Sequence, residues 1–541
     1  MSGFTGTARL VRLAVRRDRV RLLIWVLGTP LLAMALAGSV LGIYDSDQDR
    51  LAYATTSAAS VVARAFNGPV AGASLGAVVT AESYVTLAIL VALLSTFAVV
   101  RHTRQNEETG RTELLGSAAV GRYALLTSAL LVVIGANLAS AALMGLALIG
   151  SGLPVAGSML AAGALGAVGV AFTAVAAVTA QVSGTARGAN SLAAATVGVA
   201  FALRAAGDVW GDTTSDGQRV VSSWPSWLSP LGWGNQVRAY EENRWWVLLL
   251  PAGLLLVGVV VAFVLTNRRD VGAGLLADRR GPATAAPALL GPFGLAWRLH
   301  RGTLLGWAIG VAIMGLGMGA VADEVNAMVG ENAAAAEVIS QLGGGDDLVN
   351  AFLAAMLAIF ALAIGGYATQ AVLRARAEEA DGRLEPVLGA AVGRNRWLAG
   401  HVLAAVLGAL VLIVVAGAST GLGYGLAVGE PATQVAELIA AALVHLPAVL
   451  VLAGLVVVLF GQLPRLSVPL SWTVLAAFLL MGQLGAVLEL PRPVLNLSPF
   501  SHVPAVPATD PTATPLVVLT GVAVALLMIG LVAFRRRDVT T

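Results

Sequence analysis

Long apolar segments recur along the whole chain, and their length constrains the fold more than any other feature. A helix that crosses the hydrocarbon core of a membrane needs about 20 predominantly apolar residues. Only 12% of the residues are charged, whereas a soluble domain has about 25%. The sequence therefore predicts an all-α polytopic membrane protein. Twelve transmembrane helices are predicted, near residues 22–44, 80–100, 123–150, 158–182, 189–207, 245–265, 303–321, 351–373, 397–424, 436–460, 468–488 and 515–534.

Missing residue types exclude several kinds of site. The chain has no cysteine and therefore no disulfide, and its five histidines lack the spacing of metal ligands. All 33 basic residues are arginine. A P-loop requires a lysine that reaches the phosphates, so the chain has no nucleotide-binding motif, and another polypeptide would hydrolyse any ATP that transport uses. The chain itself is predicted to be a transporter subunit without enzyme activity and without a cofactor of its own. The arginines flank apolar segments, which favours orientation in a lipid bilayer over binding of nucleic acid.

The distribution of arginine predicts the orientation of the chain, because basic residues accumulate in cytoplasmic loops. With both termini in the cytoplasm, 26 arginines fall inside and seven outside, and the outer segment 322–350 has six acids and no arginine. Residues 1–21 place arginines on one helical face, which is typical of an interfacial helix, although a simple basic flank also explains them. A cleaved signal peptide is disfavoured because the apolar run continues to Ile43, beyond a usual signal core of about 7–15 residues.

One polar stretch between two apolar segments occurs twice. Residues 104–122 read RQNEETGRTELLGSAAVGR and residues 376–394 read RAEEADGRLEPVLGAAVGR. A shift of 272 residues gives ten identities in nineteen positions without a gap. The shared Glu, Arg and Gly indicate an internal duplication, since this chain has few charges. Both copies are predicted to lie in water, because charge is costly inside a membrane.

Shorter matches extend the duplication over the rest of the chain. Leu-Ser-Pro occurs at 228–230 and 497–499, and Arg-Arg-Asp-Val occurs at 268–271 and 536–539. The chain is therefore predicted to contain two parallel six-helix repeats, related by a pseudo-twofold axis along the membrane normal. The predicted parts are a first half with an N-terminal interfacial helix (1–270), a cytoplasmic linker (271–292) and a second half (293–541).

Each copy of the repeated stretch is predicted to form a helix end, a turn, a short helix and a return to the membrane. Gly110 and Gly382 supply the turn. A solvated loop whose arginines only set topology is the simpler interpretation. It does not explain glutamates at matching positions in both halves, because acids contribute little to orientation. We favour docking of a partner protein, to which a repeated charged surface is suited.

The plan of the chain resembles the permease subunits of ABC exporters of the second type, most closely fused twelve-span permeases for polyketide antibiotics. The resemblance rests on the stretches Glu107–Leu115 and Glu378–Leu388, the Ser-Pro before the sixth span and the Arg-Arg-Asp after it. It implies short cytoplasmic coupling helices, which dock on two copies of a separate ATPase subunit that holds ATP and Mg. Pro386 replaces Leu114, so the two docking surfaces are expected to differ. By resemblance the coupling residues are Glu107, Glu108, Gly110, Arg111, Glu113, Glu378, Glu379, Gly382, Arg383 and Glu385.

Several polar residues fall within or near the predicted spans. Such residues are functional candidates by default, although Asn and Gln often only join neighbouring helices. Helix-to-helix bonding is the favoured interpretation for them. The candidates are Glu82, Asn137, Gln181, Gln370, His445 and Gln483.

The leading prediction is the permease subunit of an ATP-driven exporter in a bacterial plasma membrane. Its expected substrates are amphipathic small molecules, antibiotic or drug-like and including polyketides, so multidrug efflux and antibiotic resistance follow from the resemblance. The alternative is a proton-driven multidrug antiporter of the major facilitator type, but Arg101–Arg111 lacks that family's Gly-x-x-x-Asp-x-x-Gly-Arg-Arg pattern. A membrane scaffold or an immunity factor is a third possibility.

Overall fold

The computed structural model describes residues 2–276, 281–323, 347–390, 392–484 and 491–538 of the chain. The chain divides into two compact units, Met1–Gly281 and Pro282–Thr541. The division lies inside segment 271–292. Most of the predicted acidic outer segment, residues 324–346, lies outside the described residues.

The first unit is almost entirely helical. The one sheet among its described residues is an antiparallel hairpin in the loop after α9, with two residues in each strand. Serines begin several helices, as at α4, where the Ser74 side chain accepts a hydrogen bond from the Ala77 N–H and so caps a free backbone group. The elements are α1 Thr7–Ile43, α2 Asp47–Ala59, α3 Val61–Phe66, α4 Leu75–His102, α5 Arg104–Glu108, α6 Arg111–Gly116, α7 Ala124–Gly150, α8 Val155–Val182, α9 Ala186–Val209, β1 Asp212–Thr213, β2 Val220–Val221, α10 Trp224–Trp227, α11 Pro230–Gln236, a 3₁₀ turn at Trp245–Leu248 and α12 Leu249–Asn267.

The second unit also consists of long helices joined by short elements. A 3₁₀ turn at Pro287–Leu289 precedes its first helix, and another lies at Pro499–His502. Its helices are α13 Pro292–Ala322, α14 Leu348–Ala380, α15 Leu384–Gly389, α16 Arg394–Val428, α17 Pro431–Leu443, α18 Leu446–Gln462, α19 Ser467–Leu484, α20 Arg492–Leu495 and α21 Ala513–Arg536.

Eleven helical stretches in the described part of the chain are long and apolar enough to cross a membrane, and α17 and α18 together form one of them (Pro431–Gln462). The protein is therefore an all-α polytopic membrane protein. The eleven stretches correspond to eleven of the twelve predicted spans. The remaining prediction, 468–488, coincides with α19, whose apolar part Ser467–Gly482 is shorter than the others. Residues 485–490, which would complete it, lie outside the described residues.

The two units pack their helices in the same order. In the first unit α1 packs on α7, α4 on α8, and α8 on α12. In the second unit α13 packs on α16, α14 on α18, and α18 on α21. In both units the first span therefore contacts the third, the second contacts the fourth, and the fourth contacts the last.

The predicted interfacial helix and the first span form one continuous element with a kink. The backbone of α1 leaves the helical region at Asp18 (φ −106°, ψ 16°). The Asp18 carboxylate is buried and pairs with Arg101 at 2.9 Å and with His102 Nε2 at 3.1 Å. The kink thus attaches the N-terminal helix to the C-terminal end of α4, where the first repeated loop begins.

Candidate functional site at the repeated loops

Both repeated loops follow the path that their sequence predicts. After α4 and the short α5, the chain turns at Gly110 (φ +70°) and continues into α6. After α14 it turns at Gly382 (φ +69°) and continues into α15. A Cβ at either glycine would meet no atom within 4 Å. Glycine is therefore required here by the left-handed backbone, which other residues adopt only with strain.

The first loop is held by an ion pair with the chain segment that follows α12. Arg269 donates from Nη2 to Glu107 Oε1 at 2.6 Å and from Nη1 to Glu107 Oε2 at 2.8 Å. Both side chains are only 7% exposed. Arg104 adds a third bond to Glu107 at 2.9 Å. We call the Glu107–Arg269 pair the first clasp.

The second loop is held in the same way. Arg537 donates to the two carboxylate oxygens of Glu379 at 2.7 and 2.8 Å. The Glu379 side chain is fully buried and that of Arg537 is 13% exposed. This second clasp joins the residue equivalent to Glu107 with the arginine equivalent to Arg269. The structure thus connects two repeated motifs that are far apart in the sequence.

Two pairs of equivalent arginines in the repeat donate hydrogen bonds to backbone carbonyls. Arg104 donates to the Ala180 carbonyl at 2.7 and 3.0 Å, beside the end of α8. Its counterpart Arg376 donates to the Pro464 carbonyl at 2.9 Å, after the end of α18. At the other end of each loop, Arg122 bonds the Thr266 carbonyl at 2.9 Å and Arg394 bonds the Arg537 carbonyl at 2.7 Å. Most charged identities of the repeat therefore serve contacts within each unit.

Gln181, predicted as an intramembrane polar residue, is hydrogen-bonded to the arginine of the first clasp. Its Oε1 accepts from Arg269 Nε at 2.7 Å, and its carbonyl accepts from the Leu275 N–H at 3.2 Å. The N–H of Gly272 also bonds Glu107 at 3.3 Å. The start of segment 271–292 is consequently fixed to the first unit.

The ten predicted coupling residues separate into a buried and an exposed group. Glu107 and Glu379 lie in the clasps, and buried Glu378 pairs with Arg374 at 2.9 Å and with Arg383 at 3.1 Å. Glu108 is exposed and accepts from the Ala186 N–H at 3.0 Å. The other exposed side chains are those of Arg111, Glu113, Arg383 and Glu385, together with neighbouring Leu114, which is 77% exposed, and Pro386.

The surroundings of the two clasps differ. A cavity of about 580 Å³ lies beside the first clasp, with Leu10, Leu125 and Thr266 in its wall. In the second unit, Trp397 and Phe534 stand at the positions equivalent to Leu125 and Thr266 and stack with ring centroids 5.8 Å apart. The Arg537 guanidinium lies 4.9 Å from the Phe534 and Phe460 ring centroids. The second clasp therefore rests on aromatic rings, and the first borders an open space.

Two of the other predicted polar residues near the spans join neighbouring helices. Buried Asn137 on α7 donates to Ser95 Oγ on α4 at 3.0 Å. Gln370 on α14 accepts from Trp307 Nε1 on α13 at 3.0 Å. His445 is buried at the break between α17 and α18. Gln483 lies in α19, and its side chain is outside the described part.

Glu82 near the N-terminal end of α4 lies beside two tyrosines, Tyr44 at the end of α1 and Tyr53 on α2. Tyr53 on α2 is hydrogen-bonded to Glu82. Burial is the main cause that raises the pKa of Tyr53 well above its usual value, and the negative charge of Glu82 is the second cause. The same two causes raise the pKa of Tyr44 to about 12. Both phenols remain protonated at neutral pH, so Tyr53 donates to the carboxylate.

Sequence reasoning missed two buried polar contacts. Arg204 and Asp208 on α9 form a 3.2 Å ion pair with no exposed side-chain surface, and Arg204 also bonds the Arg64 carbonyl at the end of α3. Their i, i+4 spacing was the available signal. The ring nitrogens of His300 and His401 lie 3.2 Å apart. These residues are 101 positions apart in the sequence, so no local pattern predicts their contact.

Comparison with known proteins decides the family. A family model described as the C-terminal domain of multidrug efflux system permease Rv1217c matches residues 289–535. The multidrug efflux system permease protein Rv1217c of Mycobacterium tuberculosis (strain ATCC 25618 / H37Rv) is 44% identical over 542 residues, which are 99% of this chain and 96% of the relative. The chain belongs to this family of multidrug efflux system permeases. The recognised resemblance to an exporter permease is thereby confirmed.

In this permease, the repeated loops are connected polar structures in both units. They combine a buried clasp with an exposed short helix in both units. The similarity to the relative extends through both loops, since it covers nearly the entire chain.

Proposed function

We propose that this chain is the membrane-spanning permease subunit of an ATP-binding cassette exporter. It moves amphipathic, drug-like small molecules out of a bacterial cell, using ATP hydrolysed with Mg on a separate ATPase subunit. The observation that carries this proposal is the 44% identity, over 99% of the chain, to a multidrug efflux system permease. The same finding disfavours the antiporter of the major facilitator type.

The finer arrangement is also part of the proposal. Twelve spans form two parallel six-helix repeats, both termini are cytoplasmic, and two ATPase copies bind. The identical order of helix packing in the two units supports the repeat. The arginine distribution of 26 against seven supports the orientation. The presence of two similar loops supports the binding of two similar ATPase subunits.

The exposed short helices are the proposed docking surfaces. The clasps occupy Glu107 and Glu379, which leaves Glu113 on α6 and Glu385 on α15 free to meet a partner. Leu114 beside Glu113 adds an apolar side chain that is 77% exposed. A charged rim around an apolar contact is suited to specific recognition.

The test reverses both exposed charges in the variant Glu113→Arg/Glu385→Arg. We expect normal membrane insertion, because no span is altered, but about tenfold weaker ATPase binding, equivalent to about 1.4 kcal/mol. Transport should fall accordingly. Co-purification of the ATPase and accumulation of a fluorescent drug are measured on the same membranes. The single reversals should differ in severity, because Leu114 and Pro386 make the loops unlike.

A matched control carries the same charge change at two exposed acids of the predicted outer side, Asp212→Arg/Asp510→Arg. This variant should keep wild-type ATPase binding and transport. The purified permease alone should hydrolyse no ATP, since it has no lysine for a P-loop. Unchanged binding and transport in the loop variant would contradict the docking assignment.

A further inference from the structure

We propose that Arg269 and Arg537 are positioning residues that carry movement of the coupling loops to the last helix of each half. This inference rests on the proposed function, in which the loops receive movement from an ATPase. Arg269 follows α12 and Arg537 follows α21. Each arginine would make its coupling loop and the last helix of its half move together. The loop helices α6 and α15 would otherwise be joined covalently only to the second and third spans.

The geometry of the clasps suits the transmission of force. Each guanidinium donates two roughly parallel hydrogen bonds to one carboxylate, at 2.6 and 2.8 Å in the first clasp and 2.7 and 2.8 Å in the second. A bidentate pair fixes the relative orientation of the two side chains as well as their distance, whereas a single hydrogen bond leaves them free to rotate. Loop and helix end must therefore rotate and translate together.

Burial makes each clasp costly to open. The glutamates are 7% and 0% exposed in their side chains, and the arginines 7% and 13%. Separating such a pair leaves charge in a poorly solvated place, without the compensation that water gives at a surface. The clasps are thus expected to persist while neighbouring exposed contacts form and break.

Each loop is attached to the last helix at both of its ends. Glu107 at the start of the first loop holds Arg269, two residues beyond the end of α12, and Arg122 at the loop's end bonds the Thr266 carbonyl within α12. In the second unit, Glu379 and Arg394 both bond Arg537, which directly follows α21. The exposed helix between the two attachments therefore moves with the last helix.

The supports of the two clasps differ while the clasp itself is the same. Gln181 braces Arg269 in the first unit, and Phe460 and Phe534 stack on Arg537 in the second. An arginine that served only membrane orientation would need no paired carboxylate. The repetition of the bidentate pair on different supports points to the pair as the functional unit.

The test removes the carboxylate charge with the near-isosteric variant Glu107→Gln/Glu379→Gln. ATPase binding, ATP hydrolysis and drug transport are measured on the reconstituted complex. We expect binding and hydrolysis to remain within about twofold of wild type and the transport per ATP to fall about tenfold. A purely structural role would instead lower all three together. The matched control Arg268→Gln/Arg536→Gln removes the exposed neighbouring arginines and should leave transport per ATP unchanged.

A second variant restores the link by other means, which the cysteine-free chain allows. Glu107→Cys/Arg269→Cys, combined with a cysteine-free ATPase, is joined by a short bis-methanethiosulfonate reagent and released by reductant. Transport per ATP should be low in the released form and recover on linking. Loss of ATPase binding in the released form, or no recovery on linking, would overturn the proposal. So would an unchanged transport ratio in the glutamine variant. A wild-type chain that neither binds nor depends on an ATPase would refute the proposed function instead.

Discussion

Gly110 and Gly382 each turn the chain through a left-handed conformation, at φ +70° and +69°. Alanine in this conformation is strained by about 1–2 kcal/mol. We expect Gly110→Ala or Gly382→Ala to displace the following short helix, to lower the melting temperature in detergent by about 2–4 °C per kcal/mol, and to weaken ATPase binding. Thermal unfolding and co-purification measure the two effects.

The control is Gly389→Ala at the end of α15, where the backbone is not left-handed and a Cβ meets open space. It should melt at or slightly above the wild-type temperature, since alanine favours helix more than glycine does. Equal effects at Gly110 and Gly389 would mean that the turn conformation is not what matters.

Helix α7 and helix α12 border the cavity beside the first clasp, while their counterparts α16 and α21 close the same place with aromatic rings. The variant Leu125→Trp/Thr266→Phe copies the second unit into the first. Because space of about 580 Å³ is present, the rings should bury apolar surface without overpacking. We expect stabilisation by about 1–3 kcal/mol, seen as a higher melting temperature.

Leu131→Trp serves as the control on the same helix, because Leu131 is 53% exposed. That change should leave the melting temperature nearly unaltered. A lower melting temperature for the cavity variant would show that the first unit requires this space for its native packing.

The short helices and their glycine turns could be predicted because they are local: a glycine followed by small, helix-forming residues is visible in nineteen positions. The clasps could not be predicted in that way. Glu107 and Arg269 are 162 residues apart, and their approach depends on α4, α8 and α12 packing side by side. The sequence showed both motifs and their duplication, but it carried no signal for which charges would meet. It therefore favoured an exposed loop, whereas three of the eight charged coupling residues are buried.

At the scale of the whole molecule, the proposed orientation places the loop after α9 outside and the repeated loops inside. We expect an impermeant maleimide to label Ser215→Cys in intact cells and to label Ser117→Cys only after lysis. Both serines are exposed, and the chain has no native cysteine to react. The opposite pattern would reverse the topology, and labelling of both in intact cells would show leaky cells or a different span count.

The spans were the most predictable part of the molecule because hydrocarbon solvates apolar side chains and excludes free backbone groups, which leaves a continuous helix as the solution. Eleven predicted spans coincide with long helices in the described residues. Contacts inside the units were less predictable. The charge of Arg204 predicts the end of a span, yet its side chain is buried in an ion pair with Asp208. A paired charge can be buried in a protein interior where an isolated charge cannot.

The different burial of the clasps and of the exposed short helices separates their response to ionic strength. Dissolved salt screens exposed charges beyond about 10 Å at 0.1 M, but it screens buried pairs far less. Concentrated salt should thus loosen contacts made by Glu113 and Glu385 while Glu107 and Glu379 stay bound to their arginines. A permease stripped of its partner by a salt wash would keep its loops in shape, ready for reassembly once the salt is diluted.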